Sequence, residues 1–269
     1  APEISQMFGE MLALALVQAW QDQGAPEGAL LVELGPGRGT LMRDMLRVLG
    51  RAGWAPEVVL VEPSPALRAV QSDTLGAAPH RFADGLDALG EGPVFLAANE
   101  VLDTLPIRQF LKSPGGWRER VVGVVEGTLA FGLAPEGPQP GLDARFPALP
   151  EGALVETRPA AEALVTQVAE RIATSGGAAL LIDYGGTDLT GDTLQAVARH
   201  RKIGPVDAPG TSDLTAQVDF APLAAAARGA GAAVAGPVPQ GVFLERLGIT
   251  QRAEQLARGL DGAALDAHV

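Results

Sequence analysis

The stretch Ala29-Leu-Leu-Val-Glu-Leu-Gly-Pro-Gly-Arg-Gly-Thr-Leu-Met42 limits what this chain can fold into more than any other. Residues 29–33 are mostly apolar and read as a buried parallel strand. Gly35, Gly37 and Gly39 then form a tight loop, and residues 40–49 carry helical periodicity. Strand, glycine loop and helix in that order is how a doubly wound α/β sheet holds a nucleotide-like ligand. Gly35 and Gly37 let the backbone approach a ligand with no Cβ between them. The helix that starts near Gly39 points unpaired N–H groups at the same place.

Spacing narrows the ligand. A dinucleotide loop reads G-x-G-x-x-G, whereas this one reads Glu33-x-Gly35-x-Gly37-x-Gly39. No Lys-Ser/Thr pair follows, which excludes a Walker A loop. The spacing resembles the first motif of class I S-adenosylmethionine-dependent methyltransferases. That resemblance sets Glu33 toward the cationic methionine end of the cofactor. A carboxylate there repels a diphosphate and favours an ammonium or sulfonium.

Composition removes other chemistries. At 269 residues the chain is one large domain, or one domain with an insertion. Its net charge of -12 speaks against a nucleic-acid surface and welcomes a basic protein partner. Zero cysteines exclude disulfides, a thiolate nucleophile and a cysteine metal site. The three histidines, His80, His200 and His268, are scattered, so no metal is expected. The apolar run at residues 11–20 is too short to span a bilayer, and the sequence shows no signal peptide. Nothing in it indicates an oligomeric state. The chain opens at Ala1-Pro2 without Met, which leads us to expect further residues at both ends.

Taken in order, residues 4–20 read as a helix with Phe8, Met11, Leu12, Ala15 and Leu16 on one stripe. Gln6 and Glu10 either face the ligand or belong to the cover of a sheet edge. A second buried strand at 57–62 ends in Glu62, 25 residues beyond Gly37, where an acidic residue accepts both ribose hydroxyls. Ser64 caps a helix at 66–74, and Leu67, Val70 and Gln71 pack near the adenosine. A third strand at 80–83 ends at Asp84, which either accepts the adenine amine or forms a turn. A fourth strand at 93–98 runs into Asn99-Glu-Val-Leu-Asp103. Polar residues there lie at the carboxyl edge of the sheet, making Asn99, Glu100 and Asp103 site candidates, or caps of the next helix.

The remainder changes character. Residues 109–112, 117–122 and 128–133 read as short strands joined by turns, and 134–150 as a Pro/Gly-rich surface loop. Together they form a β-rich insertion between the fourth and fifth strands. A helix from Pro159 to residue 174, with Ala160, Leu164, Val168 and Ile172 on one face, precedes a fifth strand at 177–183. Asp183 ends that strand, and Tyr184 either lines the substrate pocket or caps the core. Residues 192–210 read as looping and 222–228 as a helix. A strand at 232–234 and a strand or extended turn at 240–244 are expected to complete a seven-stranded sheet, with a last helix at 246–260. The expected organisation is thus 1–106 (N-terminal helix and cofactor-binding half of a Rossmann-like domain), 107–150 (insertion) and 151–269 (the rest of that domain).

Several segments together resemble the MidA family, bacterial counterparts of the mitochondrial protein arginine methyltransferase that assists respiratory complex I assembly. They are Pro2-Glu-Ile-Ser-Gln-Met-Phe-Gly-Glu10, the glycine loop to Met42, Val61-Glu-Pro-Ser-Pro65, Asn99-Glu-Val-Leu-Asp-Thr-Leu-Pro106, Ile182-Asp-Tyr-Gly185, Asp192-Thr-Leu-Gln195, and Asp213-Leu-Thr215 with Val218-Asp-Phe220. The resemblance implies a class I fold, S-adenosyl-L-methionine as cofactor, and transfer of methyl to an arginine of a protein partner, for the relatives a complex I subunit. It also implies a bacterial cytoplasmic protein with mitochondrial relatives. Relatives carry further N-terminal and C-terminal segments, and Gln217 stands where the family motif has histidine.

On this reading Glu33, Gly35, Gly37, Gly39, Glu62, Asp84 and Asn99 hold the cofactor. Glu100, Asp103, Asn99 and Asp183 are the catalytic candidates, because a guanidinium is fully protonated and needs a carboxylate to polarise it or take its proton. Which carboxylate does so is open at this level. A non-catalytic cofactor-binding assembly factor and a small-molecule methyltransferase are the alternatives.

Overall fold

The computed structural model describes residues 5–199 and 201–258. In chain order the elements are α1 (Gln6–Asp22), β1 (Leu30–Leu34), α2 (Thr40–Leu49), β2 (Glu57–Val61), α3 (Pro65–Leu75), β3 (Arg81–Ala83), β4 (Val94–Asn99), β5 (Arg108–Ser113), β6 (Gly116–Val125), β7 (Thr128–Leu133), α4 (Pro140–Arg145), β8 (Leu154–Thr157), α5 (Pro159–Ser175) and β9 (Gly177–Ile182). They continue as β10 (Gly185–Gly186), β11 (Gln195–Ala198), β12 (Arg201–Ile203), β13 (Asp213–Thr215), β14 (Val218–Asp219), α6 (Phe220–Gly229), α7 (Gln240–Arg246) and α8 (Ile249–Ala257). No helix among the described residues is long and apolar enough to cross a membrane. The chain divides into two units: Ala1–Asn99 with Gln167–Ile182 and Ala230–Val269, and Glu100–Thr166 with Asp183–Gly229.

The first unit is built on a parallel sheet in the order β3-β2-β1-β4-β9. β1 is central and buried along its whole length, as the apolar run demands of a strand covered on both faces. Strand order reverses between β1 and β4, so their carboxyl ends form the switch point where such sheets bind ligands. On one face Leu31, Val58, Leu60, Phe95 and Ala97 pack against Phe8, Met11, Leu12 and Leu16 of α1 and Leu41, Met42 and Met45 of α2. Gly9 permits that packing, because a Cβ there would lie 2.8 Å from the Asp44 Cβ. Trp54 stacks on Trp20, ring centroids 5.2 Å apart, and meets Phe95 edge-on at 5.3 Å.

The expected seven-stranded sheet is corrected to five strands among the described residues. Residues 232–234 form no strand, and residues 240–244 fall in α7. A run as short as Gly241-Val-Phe-Leu244 suits a strand or a helix equally, and tertiary packing decides. Here Phe243, Leu244 and Leu247 share a helical face and join the α1–α2 core. The expected last helix is divided at Gly248, whose φ of 90° ends one helix and caps the next. Residues 259 and 260 of that helix, Ile4 of the first, His200 and His268 lie outside the described residues.

The second unit holds an antiparallel sheet in the order β7-β6-β5-β8 between β4 and β9 in the chain, and its last strand, β8, lies beyond the expected bounds of 107–150. Its β6–β7 hairpin turns through Glu126 and Gly127, both at positive φ (50° and 80°), the backbone that two-residue hairpin loops require. Phe110, Trp117 and Val155 form its core. The expected loop at 134–150 is corrected there, since α4 brings Leu142 and Phe146 onto that core. A six-residue helix is too short to show a period. The looping expected at 192–210 is also corrected, because β11 pairs antiparallel with β12 and β13. β10 pairs with β14 in parallel. The Gln109 amide donates to Glu156 (2.7 Å) and Asp192 (2.8 Å), tying the inserted sheet to the segment before β11.

α5 begins at Pro159 as expected, but its buried face is Ala161, Val165, Val168 and Ala169 rather than the stripe through Ala160, Leu164 and Ile172. The two stripes are adjacent on the helix, and hydropathy alone does not separate alanine from alanine.

Truncation at the aromatic centre tests the first unit. Phe95→Ala removes a fully buried ring under Trp54 and is expected to cost about 3–5 kcal/mol, measured as a lowered urea midpoint with unchanged m-value.

Candidate functional site

The glycine loop leaves β1 with Gly35, Gly37 and Gly39 at φ of 62°, 53° and 82°. All three lie in the left-handed region, which explains their identity without reference to any ligand. Position 39 is tight: a Cβ there would come within 3.3 Å of the Gln71 Cα. Position 37 is open, with no atom within 4 Å of where a Cβ would stand. The loop therefore needs glycine at 39 so that α3 can approach, whereas Gly37 faces free space.

Glu33 sits on the core face of β1 and is fully buried beside this loop. It accepts the N–H of Met42 in the first turn of α2, so it caps that helix from outside the helix sequence. Its other oxygen, Oε2, is buried with no partner. Burial pushes its pKa up to about 8, with the Met42 bond opposing.

Glu62, just past β2, is also buried. Its Oε1 accepts the Ser64 N–H at 2.8 Å and its Oε2 the Gln71 amide at 3.3 Å. The same Gln71 nitrogen donates to the Gly37 carbonyl at 2.8 Å. Gln71 thus links the glycine loop to Glu62, a connection that reading it as an adenosine neighbour does not contain. Its own Oε1 is buried and unpartnered. Ser64 caps α3 as expected. Asp84 stands apart, exposed and paired with Arg68 at 2.6 Å, while Arg68 also donates to the Glu62 backbone carbonyl at 2.6 Å. Asn99 ends β4 opposite Ile182 of β9, and its Oδ1 is buried without a partner.

Gln6 and Glu10 do not join this cluster through any hydrogen bond of the described residues. Arg252 of α8 donates to both Glu10 oxygens (2.7 and 3.2 Å), and Arg47 of α2 donates to Gln6 at 3.0 Å. They line a separate cleft of about 570 Å³ with Met11, Leu14, Arg51 and Arg252.

In the second unit the structure brings Asp103 and Asp183 together. Asp183 Oδ2 accepts the N–H groups of Leu102 (2.9 Å) and Asp103 (3.0 Å), and its Oδ1 accepts that of Tyr184 (2.8 Å). Burial first, then the Asp103 charge, pushes the Asp183 pKa up to about 6 against these bonds. Asp103 is raised by burial and by Glu100, with Arg158 opposing, and its Oδ1 is buried with no partner. Glu100 holds a left-handed φ of 52°, uncommon for a residue with a Cβ. Tyr184 is exposed, which rules out the core-capping role.

Arg158 was not legible as a site residue. It is buried, donates to the Ala216 carbonyl at 2.9 Å, and leaves Nε and Nη1 without partners. Burial lowers its pKa while Asp183, Glu156 and Asp103 hold it up. It lines a void of about 20 Å³, room for about one water, shared with Glu156, Thr193 and Gln217. The only sequence signal was its place before Pro159, which reads as a helix start.

Residues 11–238 match a family described as "Putative S-adenosyl-L-methionine-dependent methyltransferase". The chain belongs to this family. It is a MidA/NDUFAF7-like member, as the ordered motifs implied. Over 95% of its length it is 37% identical to mouse protein arginine methyltransferase NDUFAF7, mitochondrial, and 36% identical to the human protein. The chain spans 65% and 64% of the length of those two relatives. Among solved structures, a Burkholderia thailandensis protein bound to S-adenosyl-homocysteine aligns at a TM-score of 0.83 and 34% identity, covering 94% of this chain and 68% of that one. A second B. thailandensis structure aligns at 0.86 and 34%, covering 99% and 74%. The MidA-like chain therefore has the class I methyltransferase fold with extra β-sheets.

The carboxylate pair supplies a test. The Asp183 carboxyl is expected to titrate near 6 by carbon-13 NMR, and Asp103→Asn, which removes a neighbouring negative charge, is expected to move that midpoint down. An unmoved midpoint would show the two groups to be independent.

Proposed function

We propose that this chain is an S-adenosylmethionine-dependent methyltransferase acting on an arginine of a protein partner. The observation that carries the cofactor is Glu33: a buried carboxylate with an unpartnered oxygen beside an open glycine loop. Such a group calls for a cation, and it disfavours a phosphate. The homocysteine analogue in the 34%-identical B. thailandensis protein supports the same ligand.

S-adenosylmethionine, when bound, supplies an electrophilic methyl group. Glu33 neutralises the cationic end. Glu62, already oriented by Ser64 and Gln71, accepts ribose hydroxyls with its remaining lone pairs. Asp84 serves the adenine amine only while shared with Arg68. Asn99 Oδ1 is a further acceptor at the end of β4.

On the acceptor side, an arginine guanidinium must lose a proton as its nitrogen gains a methyl group. Of the three carboxylates, Asp183 is engaged by backbone N–H groups through both oxygens and holds the Leu102–Asp103 turn in place. Asp103 offers an unpartnered Oδ1 and a raised pKa, so it is assigned the guanidinium N–H and the proton. Glu100, next to it in charge, adds attraction for a cation. The acidic balance of the chain suits a basic substrate segment. A respiratory complex I subunit, the acceptor that the MidA resemblance implies, is the first to try.

Labelled methyl transfer from S-adenosylmethionine into lysate proteins by the full-length protein, with mass spectrometry of the labelled residue, tests this reading. Methyl-arginine is expected, and Asp103→Asn is expected to reduce it by orders of magnitude. Cofactor binding with no label transferred to any protein would overturn it in favour of a non-catalytic assembly factor or a small-molecule methyltransferase.

Two binding measurements are independent of turnover. Glu62→Ala loses two charge-assisted bonds and is expected to weaken cofactor affinity by roughly 10- to 100-fold in calorimetry. At pH 7 the Glu33 carboxyl, with its pKa raised to about 8, is mostly protonated before binding. A cation stabilises the carboxylate, so binding is expected to release a proton. Calorimetry in buffers of different ionisation enthalpy reads that proton, and Glu33→Gln is expected to abolish the dependence.

A further inference from the structure

Six of the twelve exposed large apolar side chains among the described residues crowd into one hairpin: Val121, Val122, Val124, Val125, Phe131 and Leu133. Val124 is 69% exposed and Val125 61%. The register explains why. Val122 opposes Phe131 and Val124 opposes Leu129, so these four form a bulky apolar face. Val121, Gly123 and Val125 oppose Gly132, Ala130 and Thr128, giving a flat face on the other side. Valines therefore alternate onto both sides of an exposed ribbon, with the Arg120 guanidinium over the Phe131 ring.

β7 is also the outer strand of its sheet. Natural edge strands are guarded by lysine, proline, bulges or inward charges. Thr128-Leu-Ala-Phe-Gly-Leu133 has none of these, and it pairs with β6 without interruption. Across residues 121–133 the only charge is Glu126, at the turn, in a chain that is 19% charged and carries -12 overall. A basic partner would be met by charged surface. A second copy, equally acidic, can approach closely only through a neutral one.

We propose that β7 pairs antiparallel with β7 of a second copy of this chain about a two-fold axis. An axis perpendicular to the sheet keeps each face on its own side, so opposed residues must come from the same face. Pairing about Phe131 sets Phe131 against its symmetry mate, Leu129 against the partner's Leu133, and Ala130 against the partner's Gly132. Pairing about Ala130 sets Leu129 against the partner's Phe131. Both registers join bulky with bulky and small with small, and neither opposes two charges. The bulky faces then run on from one copy to the next as a single apolar surface.

Sedimentation and light scattering over a broad concentration range test this on the purified chain. The mass is expected to rise from 27.6 kDa toward twice that value. Hydrogen exchange is expected to slow with concentration at the amides of β7 and not at those of β1. Phe131→Glu places like charges on the axis in the first register and a charge against the partner's Leu129 in the second, and it still leaves a partner for Arg120, whose guanidinium lies over that ring. It is expected to stay at the monomer mass with unchanged circular dichroism. Val124→Glu, at the most exposed position, is expected to weaken association and serves if the first variant fails to fold. A wild-type chain that stays at 27.6 kDa throughout overturns the proposal. So does a dimer that persists in a folded variant, or one that protects amides elsewhere.

Discussion

A carboxylate on the central strand of a parallel sheet has to be answered by something. β1 is flanked by β2 and β4 and covered by α1 and α2, so Glu33 has no route to water. The answer on one side is the first turn of α2, whose Met42 N–H needs an acceptor that no residue of the loop supplies. Strand end and helix start thus satisfy each other across the glycine loop. The loop must be short and left-handed for the two to meet, which is why glycine recurs at every second position. The other oxygen is left over, buried and without a partner.

Gln71 carries the arrangement outward. Its amide spans the Gly37 carbonyl and the Glu62 carboxylate, so the loop after β1 and the acid after β2 form one assembly. The close approach of position 39 to the Gln71 Cα makes this possible. In the second unit Asp183 plays a comparable part, since its three backbone bonds fix the turn that presents Asp103. In both places one polar side chain, Gln71 buried and Asp183 half-buried, uses its hydrogen bonds to hold a neighbouring segment in place.

Much of this is legible in the chain. β1, β2 and β4 are mostly apolar runs closed by Gly, Pro or polar punctuation, and the inserted hairpins are marked by Pro114-Gly115 and Glu126-Gly127. Glu33 was singled out by the resemblance to a methyltransferase motif and Glu62 by its place at the end of the second strand, and both prove to be buried. The losses have a common cause. α4, α7 and the β11–β12 hairpin are each too short for a period to declare itself, and their structure follows from what they pack against or pair with. Gln71 could be placed near the ligand but not joined to Glu62, because a helix pattern does not say where an amide reaches. Arg158 looked like a residue before a proline, and its burial depends on Ala216, 58 positions further on.

The tryptophans divide between the units. Trp20 and Trp54 stack face to face in the first, while Trp117 lies alone in the second, its indole N–H on Asp143 at 3.0 Å and Lys112 over its ring. Two coupled indoles and one cation-capped indole differ in ultraviolet circular dichroism and in quenching. The chain thus carries a built-in optical label for each half, and unfolding traces followed by the two signals would separate if the halves melt independently.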